Sequence, residues 1–318
     1  MIWISIPLLA ISLFLIGLIS DRIIRYTLVM SKVFGLSEMA AGFVLLSVST
    51  SLPELSVSTL ASLGNEGGLS VGNALGSNIA NLTIIIALAI FLSKTEISIR
   101  GESQKELVQF LFLSSIIPLF IFQRGSLGPV LGIVLIILFW YFTMTISKTP
   151  KGSGLSEQKE DAGKKEKGSI AGLKFLACLV LIVVLSKLIV DSSVDIANFV
   201  GLPTSIIGAT IVGVGTSLPE LATTVQALKM KYYEMALGNI LGSCITNITL
   251  VLGISSLVSF SEVNVIAVQS IMFYVLVSSL TVWYMISSSK SINKKGAIFL
   301  CLIYVAFVLQ QIGITFFI

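Results

Sequence analysis

Two copies of one hexapeptide, TSLPEL at 50–55 and again at 216–221, place Glu54 and Glu220 inside otherwise apolar stretches. They are the only acidic residues well inside such stretches, and each directly follows a proline, Pro53 or Pro219. A charge at the centre of a bilayer costs about 2.5–3.5 kcal/mol on insertion scales for Asp, Lys or Arg, and two facing carboxylates repel each other. A cation held between them offsets both costs. The competing reading is a protonated Glu hydrogen-bonded for helix packing, and its duplication weighs against that. A mid-helix proline has no N–H, so it frees the carbonyl four residues back, at Ser49 and Gly215, and disfavours helical geometry at Leu52 and Leu218. Each helix is therefore expected to break here. The freed carbonyls are oxygen ligands of the kind hard cations use, and unwound backbone is tolerated at membrane depth only where it faces protein or a cavity.

A second pair of segments carries more oxygen. In GNALGSNIAN at 72–81, Asn73, Ser77 and Asn81 recur every four residues on one helix face, and GNILGSCITN at 238–247 repeats them as Asn239, Ser243 and Asn247. These stripes suit either packing or ligation, and ligation is favoured. The glycines at 72 and 76, and at 238 and 242, read mainly as close-packing positions.

Both motif pairs belong to one longer repeat. Sliding the chain by 166 residues aligns 35–83 with 201–249 without a gap, and 19 of the 49 positions are identical. Chance does not produce this match.

The elements that must position these residues follow from composition. The 318 residues are 55% hydrophobic and 11% charged, with mean hydropathy +1.00, far below the roughly 25% charge of soluble domains. The chain therefore belongs in a lipid bilayer. With no histidine, Ser-His-Asp triads, His-ligated zinc and histidine proton relays are excluded, and the three separated cysteines suggest neither a redox pair nor a disulfide. No enzyme activity and no cofactor are implied. The basic residues form no single patch, so nucleic acid is not expected as a partner, and no protein partner is evident.

Apolar runs near 1–20, 39–65, 67–93, 107–123, 125–147, 170–190, 196–228, 235–261, 263–289 and 296–318 predict ten transmembrane helices. They are too continuous to alternate as barrel strands. The first run lacks a preceding basic residue and reads as an uncleaved span. Odd-numbered connections hold 17 Lys and Arg, whereas the termini and even-numbered connections hold Arg124 alone. This predicts a cell-membrane protein with odd connections in the cytoplasm and both termini outside. The stretch KTPKGSGLSEQKEDAGKKEKGS, from Lys148 to Ser169, reads as a solvated cytoplasmic linker.

Five spans separate one motif copy from the other, so the copies cross in opposite directions. The expected fold is all-α, with ten transmembrane helices in two inverted-topology five-helix repeats and broken central helices. The first repeat would occupy 1–147, with its core at about 39–92; the linker 148–169; and the second repeat 170–318, with its core at about 205–258. Such repeats are characteristic of secondary transporters, whose site lies near the midplane where the repeats meet.

STSLPEL at 49–55, GTSLPEL at 215–221 and the two GN-x-x-GS-x-x-x-N blocks closely resemble the α-repeats of the sodium/calcium exchanger branch of the cation/Ca²⁺ antiporter superfamily. The strong motifs span two segments of about 35 residues, and the ten-span layout extends the resemblance to the whole chain. The resemblance implies that Glu54 and Glu220 share Ca²⁺, helped by backbone oxygens at Thr50 and Thr216. Ser51, Ser77, Ser217 and Ser243, with carbonyls near Ser47 and Gly213, would complete flanking Na⁺ sites. Asn81 and Asn247 would line the centre, and spans one and six, long and tilted, would slide across the other eight. Two positions depart from the pattern. Ser49 replaces a usual glycine, which stiffens the expected break, and Asn247 stands where the K⁺-dependent branch carries Asp.

The implied function is Na⁺/Ca²⁺ antiport by alternating access, with both ions as substrates. Ca²⁺/H⁺ antiport is the alternative, disfavoured because proton exchange does not need the extra Ser and Thr oxygens. A cation channel also uses acidic side chains, but paired broken helices in an inverted repeat argue against it.

Overall fold

The computed structural model describes residues 2–64, 67–98, 102–124, 126–148, 168–200, 213–258, 261–262, 265–289, 291–311 and 313. The chain opens with α1 (Ile2–Phe34) and continues into a helix broken at one residue, α2 (Glu38–Thr50) and α3 (Leu52–Leu63). The helix α4 runs from Gly67–Ala80 through Asn81–Ile85 to Ile86–Ser93. After β1 (Ile97–Ser98) come α5 (Glu102–Arg124), β2 (Ser126–Leu127) and α6 (Pro129–Ser147). The second half repeats the order: α7 (Gly168–Val200), the broken pair α8 (Gly213–Thr216) and α9 (Leu218–Lys229), α10 (Tyr233–Val258), β3 (Ser261–Glu262), α11 (Val265–Ser289), β4 (Ser291–Ile292) and α12 (Lys294–Gln311). Most of the expected linker, and residues 201–212 of the seventh apolar run, lie outside the described residues.

Each of the ten expected spans meets a helix or broken helix, but several boundaries differ. The first and sixth spans outrun their apolar stretches: α1 and α7 each contain 33 residues. At 1.5 Å per residue that is about 50 Å, against about 30 Å of hydrocarbon, so each must tilt or project. The charges of Asp21, Arg22 and Arg25 bound the apolar run without ending the helix. Asp21 and Arg25 pair one turn apart at 2.9 Å, which favours continuation. Correspondingly, the seventh span cannot begin at 196, because α7 continues to Val200.

The layering follows from which helices bury all their faces. The windows within Ser70–Ser93 and Tyr233–Val258 are 78% and 83% buried, whereas those of α6 and α12 are 22% and 17% buried. Thus α4 and α10 form the centre. Exposed Val130, Ile133, Ile137 and Trp140 on α6, and Leu173, Val180 and Val184 on α7, present apolar surface to lipid. Helices α1 and α7 pack along each other and lie against α9.

Glycine sets the closest crossing. A Cβ on Gly238 of α10 would stand 2.5 Å from the Met39 carbonyl oxygen and 3.2 Å from the Phe43 nitrogen of α2. Backbone meets backbone here because no side chain intervenes. Gly213 lies against Gly76 and Ser77 of α4 in the same manner, its virtual Cβ 3.3 Å from both.

Two small antiparallel pairings were not visible in the sequence. Strand β1 pairs with β4 (Ile97 with Ile292, Ser98 with Ser291), and β2 with β3 (Ser126 with Glu262, Leu127 with Ser261). The first joins the connection between spans three and four to that between nine and ten; the second joins the fourth connection to the eighth. Partners must lie on one membrane face, and the parity of a ten-span count satisfies this in both cases.

Candidate ion-binding site

Each TSLPEL motif breaks its helix at a single serine. Ser51 has φ −83° and ψ 6°, and Ser217 has φ −86° and ψ 3°. These values sit in the bridge region between helix and strand, so the two breaks are copies in backbone geometry. In the first copy, the segments before and after the break are bent by 46°. Pro53 and Pro219 lie at the second position of the following segments, where a missing N–H costs least. The side chain of Ser49 donates to the Leu45 carbonyl of its own helix, and the match between Ser51 and Ser217 shows that it leaves the turn unchanged.

The breaks bring Glu54 and Glu220 to the starts of α3 and α9, both fully buried. Their contacts cross between repeats. Ser217 Oγ donates to Glu54 Oε1 at 3.4 Å, and Ser51 Oγ donates to Glu220 Oε1 at 3.4 Å. Ser243 Oγ of α10 adds a second donor to Glu220 Oε1 at 3.3 Å. Among the described residues, neither carboxylate has a basic partner.

The remaining predicted residues gather in two matching groups. Around Glu54, Ser77 Oγ and Thr216 Oγ1 lie 3.3 Å apart, and they donate to the Gly213 carbonyl at 3.4 and 3.2 Å. Around Glu220, Thr50 Oγ1 stands 3.5 Å from Ser243 Oγ and 3.4 Å from the Ser47 carbonyl. That carbonyl also accepts the Ser51 N–H at 3.0 Å, and the Ser47 hydroxyl donates to the Phe43 carbonyl and stands 3.5 Å from Thr246 Oγ1. Asn81 and Asn247 are fully buried, and each begins a π-helical turn, Asn81–Ile85 or Asn247–Val251. Such wide turns concentrate at functional sites, and neither was foreseen from the sequence.

Among the buried polar atoms of the described residues that lack a hydrogen-bond partner are four oxygens of the two central carboxylates and the two central asparagines: Oε2 of Glu54, Oε2 of Glu220, Oδ1 of Asn81 and Oδ1 of Asn247. An unpaired buried polar atom costs about 1–3 kcal/mol, and more for a charged one. Four at repeat-related positions are a set of oxygens without donors, the chemistry that suits a cation.

The other stripe residues brace the site. Asn73 Nδ2 donates to the Glu54 carbonyl at 3.2 Å and to Ser58 Oγ at 3.0 Å. Asn239 Nδ2 donates to the Glu220 carbonyl at 3.4 Å and to Thr223 and Thr224 at 2.9 and 3.0 Å. Their amide nitrogens are thus spent on holding the broken helices, while Oδ1 of Asn73 has no partner and Oδ1 of Asn239 accepts from Thr50 Oγ1 at 3.4 Å. Asn78 was missed altogether. It bonds Asn247 across the centre, and its sequence signal was a break in the repeat, with Cys244 at the equivalent position.

An inverted repeat whose two broken helices bring buried carboxylates together defines a secondary transporter. The chain matches the sodium/calcium exchanger protein family over residues 4–148 and 170–313. It is 32% identical over 332 aligned positions to the sodium/calcium exchanger MaX1 of Methanosarcina acetivorans, covering 91% of this chain and 93% of that protein. It is 30% identical over 276 to the inner membrane protein YrbG of Escherichia coli, covering 82% and 83%. Its fold matches a structure of the sodium-calcium exchanger NCX_Mj soaked with 10 mM Na⁺ and zero Ca²⁺, with a TM-score of 0.78 at 24% identity, covering 96% of this chain and 98% of that one. The chain belongs to the sodium/calcium exchanger family, a family of membrane transporters for cation/Ca²⁺ exchange.

Proposed function

We propose that the protein exchanges Na⁺ for Ca²⁺ by alternating access, using one central site that the two ions occupy in turn. The observation that carries this reading is the set of unpartnered buried oxygens on Glu54, Glu220, Asn81 and Asn247. One Ca²⁺ balances two ionised carboxylates, and so do two Na⁺. A third Na⁺ would leave the loaded site positive and make exchange electrogenic. Because the ions compete for the same oxygens, occupancy by one excludes the other, and counter-transport follows.

In this mechanism Glu54 and Glu220 ligate Ca²⁺ with backbone oxygens of Thr50 and Thr216. Pro53 and Pro219 leave the carbonyls of the preceding turn short of donors, which favours a cation there. Ser77, Ser217 and the Gly213 carbonyl form one flanking Na⁺ site; Ser51, Ser243 and the Ser47 carbonyl form the other. Their hydroxyls donate to carboxylate or carbonyl oxygen in the structure, and rotation of each O–H turns a lone pair to an arriving ion. Helices α1 and α7 would slide together over the remaining bundle, opening the site to one face at a time. The orientation read from basic residues places this movement in the cell membrane, with termini outside and the linker cytoplasmic.

Uptake of ⁴⁵Ca²⁺ into proteoliposomes tests the function. An outward Na⁺ gradient is expected to drive uptake without K⁺, since Asn247 replaces the K⁺-linked Asp. Uptake driven by a pH gradient and not by Na⁺ would replace this reading with Ca²⁺/H⁺ antiport. Gradient-independent flux would make the protein a channel.

A further inference from the structure

A carboxylate presents oxygen however it rotates, but an amide does not. Turned one way, Asn247 offers a cation a lone pair; turned the other, it offers two N–H hydrogens and repels it. Something must choose. The choice is legible in a chain of two hydrogen bonds that crosses between the repeats, all of whose members are fully buried. Asn78 Nδ2 donates to the backbone carbonyl of Cys244 at 3.0 Å, and Asn247 Nδ2 donates to Asn78 Oδ1 at 3.1 Å.

A backbone carbonyl can only accept. It therefore compels Asn78 to turn its nitrogen toward Cys244 and its oxygen toward Asn247. Facing an oxygen, Asn247 must supply its own nitrogen there, which leaves its Oδ1 on the opposite side. That Oδ1 is one of the four unpartnered oxygens. The polarity of one fixed peptide group is thus transmitted through two side-chain amides.

The first repeat lacks this device. The position equivalent to Asn78 is Cys244, which has no amide to relay, and neither Nδ2 nor Oδ1 of Asn81 has a partner. The two central asparagines therefore differ in a way that repeat symmetry would not suggest. Asn247 is held as an oxygen donor, and Asn81 is free of such a constraint.

We propose that Asn78 is a positioning residue for the transported ion: through its amide the Cys244 carbonyl fixes Asn247 with its oxygen toward the site. This rests on the ion site proposed above. Freeing the Asn247 amide forfeits about one oriented hydrogen bond, so Ca²⁺ binding should weaken about tenfold.

The test is a double-mutant cycle in the full-length reconstituted protein. Asn78→Leu removes the relay at similar volume. Asn78→Cys, the residue that the second repeat itself carries there, guards against misfolding of the first variant. Each is combined with Asn247→Asp, and two quantities are read: half-saturation of ⁴⁵Ca²⁺ uptake and the Ca²⁺-induced rise in Tm. With Asn at 247, the expected result is a roughly tenfold weaker Ca²⁺ response at a retained maximal rate. With Asp at 247 the loss should vanish or reverse, since a carboxylate needs no orienting and no longer meets Asn78 Oδ1. A purely structural role would give the same loss in both backgrounds. That outcome, or parental affinity in the Asn78 variants, overturns the proposal. If the parent shows no Ca²⁺ response by either measure, the ion-site reading itself fails, and the inference fails with it.

Discussion

Replacing either central carboxylate by its neutral isostere separates charge from shape, and the structure allows the outcome to be ranked. In Glu220→Gln, Oε1 keeps two hydroxyl donors, Ser51 at 3.4 Å and Ser243 at 3.3 Å. Those donors hold the amide with oxygen at Oε1, which puts its NH₂ where the unpartnered Oε2 stood. The cation thus loses a negative charge and meets N–H hydrogens. Removing one partner of a buried ionic interaction costs about 3–5 kcal/mol, a roughly 150- to 5,000-fold loss of Ca²⁺ affinity. In Glu54→Gln, Oε1 keeps one such bond, from Ser217 at 3.4 Å, with the hydroxyls of Thr216 and Ser77 also beside the carboxylate. The amide can flip at a cost of about 1 kcal/mol and still offer oxygen, so this variant should bind up to about tenfold better than its counterpart. Without ions, both variants should melt at higher temperature than the parent, because one buried charge is gone, while the Ca²⁺-induced stabilisation disappears. The assay is Ca²⁺-dependent ⁴⁵Ca²⁺ uptake beside thermal unfolding in detergent. A half-saturation within about threefold of the parent in either folded variant, under 1 kcal/mol, would refute the two-carboxylate centre.

Three further outcomes follow from packing. Gly238→Ala should cost about 1–3 kcal/mol, seen as a lower Tm, because the new Cβ meets the Met39 carbonyl, whereas Gly68→Ala, with nothing within 4 Å, should not lower it. Glu38→Ala should also lower Tm, by about 1–3 kcal/mol, since the Glu38 carboxylate accepts the N–H groups of Glu234 and Met235 at 3.1 and 3.2 Å where α10 begins; Glu38→Gln should retain most of the stability. Gln226→Leu removes a 2.8 Å hydrogen bond to Asp21 that ties α1 to α9, so maximal exchange rate should change severalfold at constant Ca²⁺ half-saturation; a shift in half-saturation alone would contradict sliding of α1 over α9.

The central cluster of carboxylates and hydroxyls was legible because its parts are written twice. A Glu after Pro in an apolar run is ambiguous alone, but its recurrence 166 residues later, with Thr and Ser at the same offsets, ties a ligand pattern to a repeat. The inversion was legible because Lys and Arg report membrane side independently of the motif. What escaped were features that depend on geometry rather than on residue class. The π-turns at Asn81 and Asn247 change the winding of the backbone without leaving a mark in hydropathy. Asn73 and Asn239 share a helical face with Ser77 and Ser243, yet side-chain reach sends their amides back to the broken helices. The full length of α1 was hidden because Asp21 and Arg25 read as the end of an apolar run, although a charged pair one turn apart favours helix.

The two strand pairings have a bearing on ancestry and assembly. The shift that superposes the motifs carries β1 onto the neighbourhood of β3, and β2 onto β4. The pairing of β1 with β4 and that of β2 with β3 are therefore a single contact made twice, once at each membrane face. Each takes one strand from either half, so a nascent chain that has released only its first five helices has nothing with which to close either clasp. Two identical five-helix chains inserted in opposite orientations would supply both partners. In that sense the protein is clasped as an antiparallel dimer, with the covalent connection between α6 and α7 converting an encounter between chains into an event within one.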